Sequence, residues 1–472
     1  AWDGVIFDYG LTIGNLSGIE SFYKEIGSPI QLFFFYLVYF FQKIISVPHE
    51  FLFDLFTVII LLLFSLEIKK FSIIVFKLDN RWANLCASLA ITFPIWDSLV
   101  SINLGLYLFC FYLVLLGYRL FISEKSFKKI IGIIIILISF SIKSNFSFII
   151  GLSLAHNFRL FFDNQEIKKN SFIFILFLSI FSYFIDVIFF PPYGMFDGYN
   201  QVILKHLDFF TLLKNIYNYS TFFIFYFWIP IIYLIILKIR EKHINFLYLF
   251  KKDELVSYFT IIIIFSFAVI PYLLINKSND LFYFTDYESR HSYLLTLSFC
   301  LFFTILIKRI NEIYNIKKIN ILILTFFIAQ NLFLLAASYY TKVETTLFRH
   351  NFVEQLKSME TPPGGNVQII SNNIPGHLRP FEVSHLFFKA YEKASWWGTV
   401  IGDKEIKKNI EPEERILNRE DYRARSLLTD YNQRCNIIVE FKNEIDKFDR
   451  ISKLYILNSG KYFKIKLFNI TC

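Results

Sequence analysis

Residues 51–66 read FLFDLFTVIILLLFSL, and the segment after them, 67–82, reads EIKKFSIIVFKLDNRW. The first is an apolar run holding a single acid; the second carries four lysines and arginines. This coupling of an apolar run to a short basic segment recurs along the chain, and it decides the fold class. Of the 472 residues, 55% are hydrophobic and 60 are phenylalanine, with a mean hydropathy of +0.48. A soluble fold has no interior large enough for that much apolar surface. The pattern predicts an all-α polytopic membrane domain.

Working outward from 51–66, the expected spans are 82–97, 104–118, 130–142, 145–158, 171–190, 221–237, 256–275, 291–307 and 319–338. The pair 130–142 and 145–158 is short and open to reading as a re-entrant hairpin. Lysine and arginine fall unevenly between the connections. Segments 67–82, 119–129, 159–170, 238–255 and 308–318 hold 20 of them, whereas 1–29, 98–103, 143–144, 191–220 and 276–289 hold five. The two sets alternate strictly. By the positive-inside rule the first set faces the cytoplasm, so the acidic opening, residues 1–29, faces outward. Residues 31–46 would break this alternation if they crossed. They are expected to form an interfacial helix lying on the outer surface, interrupted by Lys43 and ended by SVPHE. The chain opens on Ala1, and a further helix upstream is expected.

After about residue 340 the composition turns polar, with 21 of the 48 basic residues and 17 acids in 341–472. NVQIIS, CNIIVEF and KYFKIKLFNIT have the look of short strands, and EVSHLFFKAYEKA has helical spacing. A small C-terminal α/β domain outside the membrane is expected over 341–472. It carries no catalytic motif. Cys86, Cys110 and Cys300 fall in apolar runs as core filler; Cys435 and Cys472 lie where a pairing is open. The charge of +9 is dispersed and follows topology, so nucleic-acid binding is not implied.

Candidate site residues are the polar groups expected at the outer face, because ionisable side chains at a membrane are costly. Asp3 and Asp8, with Glu20 and Glu25 behind them, precede the first apolar run. A carboxylate there suits a general base that deprotonates an acceptor hydroxyl. In FTDYESRHSYLL, residues 284–295, Arg290 and His291 enter a span from outside beside Asp286 and Glu288. A guanidinium so placed suits a phosphate. Lys205, next to His206, sits in the 191–220 segment, and Asp97 is a further outer carboxylate. The bland alternatives are a solvated acidic loop, a snorkelling arginine and a helix cap at Asp97. Four N-x-S/T triplets, at Asn15, Asn145, Asn218 and Asn469, fall in outer segments and are what chance supplies in an Asn- and Ser-rich chain. Walker A, GxGxxG, HExxH and GxSxG motifs are absent from the sequence, which leaves ATP-driven transport, dinucleotide chemistry and zinc proteolysis unsupported.

The acidic first outer loop, the GSPIQLFFFYLVYFF segment behind it, the arginine at SRHSYLL and the polar C-terminal region together resemble the GT-C superfamily of integral-membrane glycosyltransferases. The resemblance covers nearly the whole chain as layout. It implies transfer of a sugar from a polyprenyl-phosphate carrier to a glycan or lipid acceptor, on the outer face of the cell membrane. Asp8 or Asp3 would then be the base, and Arg290, with His291 and Lys205, the donor-phosphate group. Many members place an acid after the second outer loop where this chain has Asn103. Asp97 and Glu288 stand as alternatives for a second acid, and a divalent metal is left open. The rival readings are a transporter or flippase of lipid-linked glycans, which needs ionisable groups at mid-membrane depth, and a glycan polymerase, which is expected to have an Arg-rich outer loop.

Overall fold

The computed structural model describes residues 16–45, 49–93, 104–194, 252–275, 293–314, 347–361, 365–370, 380–392, 396–401, 435–443 and 463–471, with isolated positions between them. The chain divides into two compact units: Tyr23–Ala336, and Ala1–Phe22 together with Ala337–Cys472.

The larger unit is helical. Helix α1 (Ser17–Glu25) has its first six residues in the other unit; after it come α2 (Pro29–Ile45), α3 (His49–Phe76), α4 (Asn80–Ile91), α5 (Leu104–Phe121), α6 (Ser126–Ser139) and α7 (Ser144–Phe162). Then follow α8 (Lys169–Phe189), α9 (Lys252–Leu274) and α10 (Leu295–Tyr314). Eight of the ten expected apolar runs coincide with described helices. The run at 221–237 lies outside the described residues, and 319–338 is described, as helix, at 325–326, 328–333 and 336. Phe51–Phe76, Lys169–Phe189 and Asp253–Leu274 are each long and apolar enough to cross a membrane.

Helix ends follow local chemistry. Asp79 accepts from the backbone N–H groups of Arg81 (3.0 Å) and Trp82 (3.1 Å), capping α4. Lys77 and Asn164 take left-handed φ values just past α3 and α7. The N–H groups of Leu78 and Gln165 then reach back to Ser72 and Leu160, satisfying carbonyls the helices leave open. Gly27 ends α1 in the same way with φ of 74°, and a Cβ there would collide with the carbonyl of Phe190.

One expectation needs revision. Residues 67–76, read as a basic connecting loop, continue α3, and the connection to α4 shrinks to the few residues around Asp79. Ile68, Phe71 and Val75 are buried at helical spacing, so packing extends the helix through its charges.

The helices pack in a closed order: α3 against α4, α4 against α10, α10 against α9, α9 against α7, α7 against α5, and α5 back against α3. Helix α10 is enclosed, with Leu297, Cys300, Leu301 and Phe303 all buried. Outside the ring, α6 lies on α5, α8 on α7, and α2 on α3. The α5–α6 pair comes close because Gly117 faces Gly132; a Cβ on Gly132 would lie 2.7 Å from the Gly117 carbonyl oxygen. Helix α8 buries Ile175 and Ser179 and exposes Ile173, Phe177, Phe181, Phe184 and Ile188. That is the composition of a helix facing lipid. Helix α2 buries a single stripe, Gln31, Phe35 and Val38, and exposes Phe33, Phe40, Phe41 and Ile44.

In the other unit, β1 (Gly365–Ile370), α11 (Pro380–Tyr391) and β2 (Trp396–Ile401) form a β-α-β unit, followed by β3 (Cys435–Asn443) and β4 (Phe463–Thr471). The sheet order is β2-β1-β3-β4, with β1 parallel to β2 and β3 and β4 antiparallel to β3. Strand β2, WWGTVI, is one the alternation of the sequence did not signal. Residues 347–357 are helical and bury Phe348, Phe352 and Leu356, with Phe352 edge-on to Phe387 of α11. Tyr391 donates from its hydroxyl to the Leu356 carbonyl at 2.9 Å, and burial raises its pKa above the ordinary phenol value.

Candidate functional site

Along the bundle the helices alternate in direction, so its connections fall at two ends. One end carries the 77–79, 122–125 and 163–168 connections together with the start of α9 and the end of α10. This is the end where lysine and arginine gather.

At the basic end the charges are paired from helix to helix. Glu67 of α3 is buried and takes both nitrogens of an Arg119 fork from α5, at 2.6 and 3.1 Å. Lys70 adds a third contact at 2.7 Å. Arg159 of α7, also buried, meets Asp163 at 3.2 Å and donates to the Ser257 hydroxyl of α9 at 2.6 Å. Lys77, at the end of α3, closes on the same Asp163 at 2.7 Å. Arg309 of α10 meets Glu312 at 3.1 Å and Glu254 of α9 at 3.7 Å. Just inside this layer Tyr118 and His156 share a hydrogen bond of 2.9 Å. These charges work as staples, because the Arg119, Arg159 and Arg309 guanidiniums are each met by a carboxylate.

The opposite end is organised around the turn between α6 and α7. Helix α6 rises about 21 Å and α7 about 28 Å between the two ends. Phe140, Ile142, Ser144 and Asn145 are all buried. The Ser141 carbonyl accepts from Gln31 Nε2 at 3.0 Å and Ser28 Oγ at 3.5 Å, joining the start of α2. Asn145 donates through Nδ2 to the Ser139 carbonyl at 2.8 Å. Tyr272 of α9 donates to Ser144 Oγ at 3.2 Å. Lys143 pairs with Asp186 of α8 at 2.7 Å. Asn145 is therefore enclosed and engaged, so the triplet that begins there is not an exposed acceptor.

Asp3, Asp8, Asp97, Lys205, Glu288, Arg290 and His291 lie outside the described residues, as do His206, Asp286 and Asn103. Their described neighbours are enclosed. Phe7 is buried edge-on to Phe22 at 5.3 Å, Phe93 at the end of α4 stacks on Phe299 at 5.7 Å, and Tyr293 is buried against Phe111. In the first turn of α10, Thr296 Oγ1 and Ser298 Oγ are buried with no hydrogen-bond partner among the described residues. Among the described residues no three His, Cys, Asp or Glu side chains gather as metal ligands do. Cys86, Cys110 and Cys300 are buried free thiols, in keeping with their reading as filler.

Lys143 and Asp186 were missed, although a signal existed. Asp186 is the one acid in the run 171–190, and an acid inside a span is a candidate by default. Its partner was 43 residues away and counted only as a loop charge.

No family model, curated protein or solved structure matches this chain.

Proposed function

We propose that this protein is a membrane glycosyltransferase that moves a sugar from a polyprenyl-phosphate carrier to a glycan or lipid acceptor on the outer face of the cell membrane. The observation that carries the reading is the alternation of basic segments, which assigns Asp8 and Arg290 to the same, acidic side of an apolar helical protein. The unit containing the sheet is then the extracytoplasmic α/β domain. Asp8, with Asp3 as the alternative, removes the proton of the acceptor hydroxyl. The acceptor oxygen attacks the anomeric carbon, and the bond from that carbon to the phosphate oxygen breaks with its electron pair. Arg290, helped by His291 and Lys205, offsets the charge of the departing lipid phosphate. Asp97 and Glu288 are the choices for a second acid, and a divalent metal would be held among these same outer carboxylates.

Support comes from the mostly helical bundle and from the pairing of charges at its basic end, which leaves the acidic side for chemistry. A flippase remains the second reading. Asp186 of α8, paired with Lys143 of the α6–α7 turn, lies one turn from the helix end rather than midway along it, where a carrier needs its ionisable groups.

The test is transfer of radiolabelled sugar from polyprenyl-phosphate donors in vesicles holding the full chain. Asp8→Asn should lower the rate by about 10²–10⁴-fold at equal protein level. Transfer unchanged in Asp8→Asn moves the base to Asp3 or Asp97. No transfer from any donor, with lipid-linked glycan still crossing the bilayer, favours the flippase.

A further inference from the structure

Helix α2 begins and ends at the same end of the bundle. Its start is tied to the α6–α7 turn through Gln31 and Ser28, which both donate to the Ser141 carbonyl. Just before it, the Tyr193 N–H donates to the Glu25 carbonyl at 2.9 Å, and Gly27 lies against the Phe190 carbonyl past the end of α8. Shortly after its last residue stands His49, which opens α3 at this same, non-basic end. An apolar helix of 17 residues, about 25 Å long, therefore never reaches the basic side. Around its axis the residues sort into sides. Gln31, Phe35 and Val38 face the bundle, where the Phe34 and Phe35 rings meet Phe53 of α3 at 5.8 and 5.5 Å. At about 100° per residue, Phe33, Leu37, Phe40 and Ile44 stand opposite that stripe, and all four are exposed. One flank adds Ile30 and Phe41. The other carries Tyr36, Tyr39 and Lys43, with the Lys43 ammonium 4.5 Å from the Tyr39 ring centre.

We propose that α2 is a monotopic anchor sunk into the outer leaflet beside the bundle, with Phe33, Leu37, Phe40 and Ile44 against acyl chains and the Tyr36–Tyr39–Lys43 flank turned up to the headgroups. Water on the face opposite the bundle would leave a continuous apolar patch exposed. Lipid covers it because the surface is continuous with that of α8: Phe184, Ile188 and Phe189 are exposed up to the point where Phe190 meets Gly27. Tyrosine and lysine favour the headgroup level, since each has an apolar body and a polar tip that reaches for water. In an upright helix such residues gather at one end. Here they run along one flank over two turns, which lays the axis near the membrane plane and sets the roll of the helix. The Lys43–Tyr39 contact keeps the charge on that flank. This inference rests on the membrane reading alone and does not require sugar transfer.

The test uses the full chain in nanodiscs, with Cys435→Ser and Cys472→Ser as background; Cys86, Cys110 and Cys300 are buried. Phe33→Cys, Tyr36→Cys, Leu37→Cys, Phe40→Cys, Lys43→Cys and Ile44→Cys are made singly at these outward positions, and each receives a nitroxide label. Depth is read from collisions with oxygen, which enters the bilayer, against a nickel chelate, which stays in water. Labels at 33, 37, 40 and 44 should share one depth, about 5–10 Å below the headgroup boundary. Labels at 36 and 43 should lie shallower and collide more with nickel. A depth that changes steadily by about 16 Å from 33 to 44 overturns the proposal, because it describes an upright helix. Equal depth at all six positions overturns the roll. Nickel reaching 33, 37, 40 and 44 as readily as oxygen puts that face in water, and collisions with neither reagent put it under protein; either result overturns the lipid assignment. Because no sugar is present, the outcome is independent of whether the protein transfers one.

Discussion

At the basic end of the bundle, Arg119 reaches Glu67, Arg159 reaches Ser257 and Arg309 reaches Glu254, each on another helix. At the opposite end, neutral side chains such as Gln31, Asn145 and Tyr272 hold the turn after α6, and Lys143 of that turn pairs with Asp186 of α8. Both ends seat polar atoms in an apolar bundle. The basic end matches charge with charge, which fixes helix register strongly but leaves each partner dependent on the other. The opposite end matches amides and hydroxyls with backbone carbonyls, where each bond contributes less and the loss of one strands no charge. The first arrangement suits a fixed base, and the second leaves room for a site.

The contrast can be broken most directly at Glu67. Glu67→Ala strands Arg119 and Lys70, and the full-length protein in detergent should lose about 3–5 kcal/mol of unfolding free energy. Replacing Glu67 and Arg119 together with leucine and methionine should recover most of it. A small loss for the single change would mean that the basic end is no more rigid than the other. The close α5–α6 approach comes next, because α6 leads into the α6–α7 turn. Gly132→Val should cost about 1–3 kcal/mol through overpacking against Gly117 and Phe121, with an earlier thermal transition as the readout. At the opposite end the expected changes are smaller. Tyr272→Phe removes one hydroxyl bond to Ser144 and should cost about 0.6 kcal/mol, the average for such bonds between membrane helices. A loss as large as that of Glu67→Ala would erase the distinction between the two ends. Smallest of all is Glu354, fully exposed and bonded to Lys357 at 3.0 Å. The bond and the lysine charge lower its pKa, so any stability it adds is present at neutral pH and fades as pH falls through that depressed value. Glu354→Gln should leave the melting temperature unchanged at pH 7, as expected of an exposed pair.

How far the sequence could be read differed along the chain. The runs at 51–66, 171–190 and 256–275 were legible because an apolar run long enough to cross a bilayer has few other fates. The end of α3 was not. EIKKFSIIVF looks like a loop by charge, and it is a helix because Ile68, Phe71 and Val75 find partners on neighbouring helices. The Lys143–Asp186 pair was half legible: an acid in an apolar run invites attention, but its partner is set by which helix lies beside α8. Strand β2 escaped for the opposite reason, since WWGTVI does not alternate and is recruited by pairing with β1.

The sequence by itself determined that this is a helical membrane protein, along with the alternating charge that orders its connections. Both follow from how water, hydrocarbon and a charged side chain interact, with no reference to neighbours. The tertiary structure alone decided the closed helix order, the partners of Glu67 and Arg159, and those of the α6–α7 turn. Those depend on helices far apart in the chain meeting, and meeting is governed by shape: Gly117 against Gly132, Gly27 against Phe190, and the enclosure of α10.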